Sequence, residues 1–250
     1  MPSFGGLGLS SGGTGNVVVN ESLVTNATFQ NLTNPDNDGK NYRVAKWLSN
    51  GSFVVTKQGF ADILLCGAGG SGGNYEGVGV LGAGGAGGAI LIVKKILFLE
   101  GTYTITIGQG IATRATQGQS TTLSGPFTSP ISSFVAIGGS GGGNNANVGP
   151  SSMSVGSYPM TITETIYVGG QPAAGASGGA GGAGGNASGS TGGPGRTITG
   201  WSSTTLTLSA GGSSTYSVSS KTANTGDGGD GAASTFTQGA SGIAFIRWQS

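Results

Sequence analysis

Glycine takes two positions in every three along parts of this chain, and that spacing limits what it can fold into more than any other feature. Residues 178–186 read Gly-Gly-Ala, Gly-Gly-Ala, Gly-Gly-Asn; residues 84–89 read Gly-Gly-Ala twice; residues 69–74 read Gly-Gly-Ser, Gly-Gly-Asn. A period of three belongs to an extended helix of the polyproline-II type, not to an α-helix or a strand. Two of its three faces are then bare, so neighbouring backbones can approach closely. Collagen needs one glycine per triplet and abundant proline. With 8 prolines in 250 residues, this chain is not collagen.

The 55 glycines make the choice sharper. Ordering each costs roughly 0.5–1 kcal/mol more than ordering alanine, so the set opposes folding by on the order of tens of kcal/mol. Either the runs are flexible linkers, or they pack so that hydrogen bonds between backbones offset the cost. An extended helix has no internal hydrogen bonds, so each buried N–H and C=O needs a neighbouring segment. Four runs (67–88, 138–143, 175–195 and 226–231) can supply those neighbours. The third positions, mostly Ala, Ser and Asn rather than charges, favour the packed bundle.

Composition removes several classes of function. Ten Lys and Arg stand against nine Asp and Glu, a net charge of +1. That opposes charge-driven disorder and offers no basic stripe for nucleic acid. Histidine is absent, which removes the commonest general base and the commonest metal ligand. The one cysteine, Cys66, ends the apolar stretch Ile63-Leu64-Leu65-Cys66 and reads as a small buried hydrophobe; it has no partner for an intrachain disulfide. No stretch reaches the ~18 apolar residues of a membrane helix. The start of the chain lacks the basic and apolar regions of a signal peptide. Membrane insertion is not expected.

Alternating and apolar segments predict strands over 43–48, 52–56, 60–66, 89–93, 102–107, 133–137, 160–168, 204–208 and 243–248. No window supports a long amphipathic helix. Residues 1–45 read as an N-terminal attachment arm with a short β segment, and 46–250 as a glycine-rich β domain. The β-prone pieces within 17–33 are broken by Asn and offer too little apolar surface to fold alone, so they are expected to pair with another chain. The predicted fold is all-β: a β-sandwich-like core, glycine-rich runs forming packed polyglycine-II-type helices, and an extended N-terminal arm.

The order of these elements resembles a known family. Ala61-Asp62-Ile63-Leu64-Leu65-Cys66-Gly67-Ala68-Gly69-Gly70 is followed by the 84–89 repeat and by Gly101-Thr102-Tyr103-Thr104-Ile105-Thr106-Ile107-Gly108. Ser120-Thr121-Thr122-Leu123, Ala136-Ile137-Gly138-Gly139, the 226–231 block and Gly242-Ile243-Ala244-Phe245-Ile246-Arg247-Trp248 come next. Over roughly residues 47–250 the set resembles the glycine-rich domain of bacteriophage tail proteins. That resemblance implies a virion protein of a tail tip or fibre, adhesin-like, with variable loops on glycine helices. Compared with T-even-type fibre adhesins the glycine runs are fewer, and the N-terminus does not match.

Several motifs have plainer readings. Gly67-Ala68-Gly69-Gly70-Ser71-Gly72 fits a dinucleotide fingerprint, but more glycine follows where a helix must begin, so no nucleotide or other cofactor is expected. Asn34-Pro35-Asp36-Asn37-Asp38-Gly39 fits half an EF-hand loop, yet the twelfth position is Ala45 rather than Glu; a turn is expected there, not a metal site. The block Gly226-Asp227-Gly228-Gly229-Asp230-Gly231 reads as turns whose Asp side chains cap their own loop. Sequons at Asn20, Asn26, Asn31, Asn50 and Asn186 are expected by chance in such a composition. Lys94-Lys95 reads as a solvated pair flanking a strand. Glu76, Glu100 and Glu164 form no acid–base couple in sequence, and the serines lack an activating base.

What remains are the polar, aromatic-tipped segments 144–158, 196–203 and 213–224. Tyr75, Asn144, Asn145, Tyr158, Trp201 and Tyr216 are the candidate receptor contacts; for the aromatic ones, packing over the glycine bundle or at a subunit seam is the competing reading. The expected function is a non-enzymatic virion component, exposed on a tail or fibre, that contacts a host-cell surface. Its expected partners are other virion proteins through the N-terminal arm and copies of itself, with a trimer as the guess from the fibre analogy. A purely architectural tail or capsid component is the alternative.

Overall fold

The computed structural model describes residues 15–74, 81–128, 131–143, 163–167 (backbone) and 182–250. It is a β structure whose only helical turn among the described residues is the 3-10 segment Glu21–Leu23. The strands are β1 (Val18–Val19), β2 (Ala27–Thr33), β3 (Asn41–Trp47), β4 (Gly51–Lys57), β5 (Gly59–Cys66), β6 (Ile90–Phe98) and β7 (Gly101–Thr106). They continue with β8 (Thr121–Ser124), β9 (Ser133–Ala136), β10 (Thr163–Tyr167), β11 (Arg196–Ile198), β12 (Leu206–Leu208) and β13 (Ile243–Gln249). One antiparallel sheet has the order β1-β4-β7-β8-β9, a second β10-β6-β5-β13-β3-β2, and β11 and β12 form a ribbon.

The two large sheets pack as a sandwich around one apolar cluster. In β7 the alternation seen in the sequence sends Tyr103 and Ile105 inward, where both are fully buried. Phe53 stacks on Tyr103 with ring centroids 5.0 Å apart, and Phe98, Phe127 and Phe134 extend the aromatic row. A second cluster covers the outer face of the six-stranded sheet, where Leu64, Cys66, Ile90 and Phe245 meet Ile198, Trp201 and Leu208. β5 and β13 are therefore covered on both faces, which explains the apolar runs at 63–66 and 243–246.

Two expectations are corrected by strand pairing. Residues 17–33 pair within this chain: β1 lies on β4, β2 lies on β3, and Val17 is a core residue. Each piece is short, but a sheet already built on four or five other strands supplies the apolar face it lacks. The β segment expected within 1–45 is thus joined to both sheets, and residues 1–14 lie outside the described residues. The second correction concerns Lys94 and Lys95, which sit inside β6 at a bulge where both oppose Asp62. One extra residue reverses the alternation. Leu91 and Val93 face the core before the bulge, and Ile96 and Phe98 face it after.

From one end of the six-stranded sheet the chain runs into the glycine segments. The N–H groups of Gly67, Gly70 and Gly73 donate to the carbonyls of Ala89, Ala86 and Ala83 at 2.9, 2.9 and 2.8 Å. Those of Ala68 and Ser71 donate to Gln119 and Thr116, and those of Gly69 and Gly72 to Ala240 and Thr237. Three neighbours are served in rotation, so the hydrogen bonds have the three-residue period of the sequence. Gly82, Gly85 and Gly88 likewise donate to Ala232, Gly229 and Gly226, while Ala83, Ala86 and Ala89 donate to Gly143, Ser140 and Ile137. A net gain of ~0.5–1.5 kcal/mol per hydrogen bond matches the glycine penalty of ~0.5–1 kcal/mol, so these segments can be ordered without side chains.

Close approach explains why the residues are glycine. A Cβ on Gly85 would fall on the Gly70 carbonyl, one on Gly70 on the Ser140 carbonyl, and one on Gly228 on the Gly85 carbonyl. Ala68, Ser71, Ala83 and Ala89 occupy third positions and are buried. Of the nine-residue repeat at 178–186, residues 182–186 are described; there Ala183 N donates to Ser209 O and Gly184 N to Pro194 O. The fingerprint-like 67–72 is an inner segment of this lattice, extended and enclosed on three sides.

Candidate functional site: a loop tied to the glycine lattice

The glycine lattice offers chemistry only where loops leave it. Residues 213–224 form such a loop, and Asp230 fixes it from below. The carboxylate is 3 % exposed. Its Oδ1 accepts from Ser213 N at 2.8 Å and Lys221 Nζ at 2.6 Å, and its Oδ2 from Ser219 N at 3.2 Å and Ser219 Oγ at 2.9 Å. Burial alone would raise this carboxyl's pKa, but the bonds from Lys221, Ser213 and Ser219 outweigh it and hold the group below the usual carboxylate range. Asp227 does the same for the start of the crossing, accepting from Ala210 N at 2.7 Å. The aspartates expected to cap their own turns cap neighbouring segments instead, because the straight lattice strands leave no local turn for them to close.

Other bonds finish the loop. Ser214 N donates to Ser190 O, Ser214 Oγ to Gly82 O at 2.8 Å, and Thr215 N to Gly231 O at 2.9 Å. Between these ties and Ser219 the chain lifts Tyr216 to 79 % exposure. Beside the loop lies a cavity of about 270 Å³ lined by Gln109, Ser220, Lys221, Thr237 and Gln238 among others. Polar side chains and small Gly and Ala residues share its walls, and its one lysine is already paired with Asp230.

Trp201 is placed differently from its expected role. It is 2 % exposed, packs edge-on to Phe245 with centroids 6.5 Å apart, and carries the Arg247 guanidinium 4.5 Å from its ring centroid. A side chain so buried covers the six-stranded sheet and is not a surface contact. It packs on that sheet, not over the glycine bundle. Tyr75, Asn144, Asn145 and Tyr158 lie outside the described residues, and of the six candidates only Tyr216 is described as an exposed side chain.

Arg247 is the group that the sequence reading passed over. Fully buried, it donates from Nε to Asp62 Oδ2 at 2.9 Å, from both terminal nitrogens to Asp36 at 3.1 and 2.5 Å, and from Nη1 to Gly200 O at 2.6 Å. The Tyr42 ring also lies against it, 4.8 Å from ring centroid to guanidinium. The turn 34–39 that resembles half an EF-hand thus gives its first aspartate to an arginine. Asp36 titrates below its ordinary value: burial opposes the shift, and Arg247 and Lys94 outweigh it. The signal was a charge of each sign inside apolar strands, Asp62 in β5 and Arg247 in β13. Burial pushes the Cys66 thiol up, as suits a small hydrophobe. Among the described residues no group of three metal-ligating side chains occurs, and no helix is long and apolar enough to cross a membrane.

Residues 48–249 match the sequence profile of a family described as a glycine-rich domain. The chain belongs to that family. The match begins one residue after β3 and ends with β13, so it takes in the lattice and both sheets apart from β1, β2 and β3. No curated protein matches the chain.

Proposed function

We propose that this glycine-rich domain protein is a non-enzymatic bacteriophage virion component at a tail or fibre tip, where its loops contact the host-cell surface. The observation that carries the reading is the loop 213–221, rigidly tied to the lattice through Asp230 and exposing Tyr216. A lattice closed by backbone hydrogen bonds, polyglycine-II-like in its period, tolerates changes in the loops that leave it because its own segments bond to one another and only a few loop side chains, such as Ser214, Ser219 and Lys221, are tied to it. Exposed tyrosine on a fixed backbone is a low-entropy contact residue. Residues 1–14 attach the protein to the particle, and assembly as a trimer multiplies weak contacts into avidity.

The test uses beads coated with the purified protein and a phage that carries this chain. The coated beads are expected to adhere to the phage's host, Tyr216→Ser to weaken adhesion, and antibodies against the protein to block adsorption. Beads that do not adhere, together with antibodies that do not block, would leave a purely architectural virion component. Release of oligosaccharide from host envelopes would reverse the non-enzymatic assignment.

A further inference from the structure

The opposite end of the six-stranded sheet, away from the lattice, holds a second cavity of about 330 Å³. Its lining includes Asn16, Lys40, Phe60, Lys95, Trp248 and Gln249. We propose that it binds a single acidic saccharide unit, the carboxylate on Lys95, the hydroxyls on Asn16 and Gln249, and the apolar ring face on Phe60. A cavity of this size lies at the lower end of the range for small-molecule sites.

The bulge in β6 supplies the first support. Lys95 has φ +57°, a conformation that a residue with a long side chain rarely adopts. The same bulge sets two lysines against Asp62 and keeps both off the core face, and bulges of this kind re-aim side chains beside functional sites. Asp62 Oδ1 fixes the arrangement by accepting from Lys95 N at 2.8 Å.

Charge pairing supplies the second. Arg247 is taken by Asp36 and Asp62, Lys94 by Asp36 at 3.3 Å, and Lys40 lies 3.9 Å from Asp38. Every carboxylate described around the cavity therefore already faces a cation. The Lys95 ammonium has no hydrogen bond or ion pair among the described residues, and its side chain is exposed. An anion is the complement of that surplus. Phe60, at 42 % exposure, offers an apolar surface that a simple inorganic anion would leave unused. The two amides can each donate and accept, which suits hydroxyl groups. Residues 1–14 precede Gly15 at the cavity's edge but contain no Asp or Glu, so their side chains cannot neutralise Lys95.

The experiment is a titration of the ¹⁵N-labelled full chain with D-glucuronate, followed by amide shifts. Saturable shifts are expected at Asn16, Lys95 and Gln249, with Tyr216 and the lattice glycines unmoved. D-Glucose, and acetate at matched ionic strength, are expected to bind at least about tenfold more weakly, the factor that corresponds to one charge-assisted contact. Lys95→Gly suits the backbone at this position, so it is expected to melt no lower than the parent while losing about tenfold in affinity. Phe60→Ser is expected to weaken glucuronate and leave acetate unchanged. The proposal is overturned by absent shifts, by acetate binding as tightly as glucuronate, or by a Lys95→Gly variant that binds like the parent. Tighter binding of a short acidic peptide would overturn it in favour of a protein partner. Because the cavity and the 213–224 loop lie at different ends of the strands, either assignment can fail alone.

Discussion

The sandwich and the glycine lattice are two solutions to burial in one chain. Between the sheets, Phe53, Phe98, Tyr103, Phe127 and Phe134 fill space with side chains, and backbone bonding is confined to the ladders. In the lattice the buried surface is the backbone itself, and stability depends on each N–H finding a carbonyl on a neighbouring segment. The first solution tolerates exchange of one apolar side chain for another of similar volume. The second tolerates no side chain at positions such as Gly85, yet asks little of the loops between its segments beyond anchors such as Ser219 and Lys221 on Asp230.

The largest expected effect tests whether the two regions fold as one. Phe53 is 1 % exposed and touches the rings of Trp47, Phe98 and Tyr103, so Phe53→Ala is expected to cost about 4 kcal/mol in urea unfolding. If the sandwich and lattice are one cooperative unit, hydrogen exchange at Gly70 and Gly85 accelerates by the same free energy. Lattice amides that keep their protection would make the two regions separate units. Gly85→Ala is next, at about 3 kcal/mol, because its Cβ can be housed only by moving the Gly70 backbone. Gly185→Ala is the control: its Cβ would meet Pro194 at an ordinary 3.5 Å, and the change is expected to stay within about 0.5 kcal/mol. Equal costs at the two glycines would contradict the close-packed lattice.

The two regions also differ in how much of them was legible in the sequence. Side-chain periodicity exposes a strand, so β3 to β7, β9, β10, β12 and β13 were readable from their alternation or apolar runs. β8 and β11, only four and three residues long, show too little pattern, and β11 falls within a segment read as a polar loop. The bulge in β6 escaped because Lys94-Lys95 ends one alternation and starts another, which in sequence resembles the end of a strand. In the lattice the period was plain but the pairing was not. Near-identical triplets carry no side-chain mark of which segment bonds to which, so nothing distinguishes Gly229 from another glycine as the acceptor for Gly85. Asp230 illustrates the same limit: its partners lie 9 to 17 residues away and are ordinary serines and a lysine.

A smaller effect is expected where the lattice meets its loop. Asp230→Asn leaves Lys221 without its carboxylate, and its amide NH₂ faces donors, so a loss of about 2 kcal/mol and faster exchange across 213–221 are expected. Acid should do the same to the parent protein. Asp230 and Asp36 both titrate below their unfolded value in the folded chain. Their contribution is fully present above the unfolded aspartate pKa of ~4 and is lost as pH falls through the lower folded values. Urea midpoints are therefore expected to hold steady from neutral pH to about 5 and to fall below about 4. In Asp230→Asn that fall is expected to be shallower, and an equally steep fall would remove Asp230 from the acid response.

The subtlest effect lies in the heat capacity of unfolding. Exposed apolar surface raises it by ~0.45 cal/K/mol/Å² and exposed polar surface lowers it by ~0.26. Unfolding the sandwich exposes mainly the first kind, while unfolding the lattice exposes peptide groups with few side chains. Calorimetry is therefore expected to give a heat-capacity change per residue below the usual ~12–15 cal/mol/K. Flexible glycine linkers would lower that value as well, so the enthalpy decides between them. A lattice that breaks its backbone hydrogen bonds on melting keeps an enthalpy near the usual ~0.7 kcal/mol per residue, whereas linkers contribute neither quantity. Ordinary enthalpy with low heat capacity would mark a region held together by its backbone. If both fall together, the glycine segments take no part in the folding transition, and the loop at Tyr216 loses its rigid support.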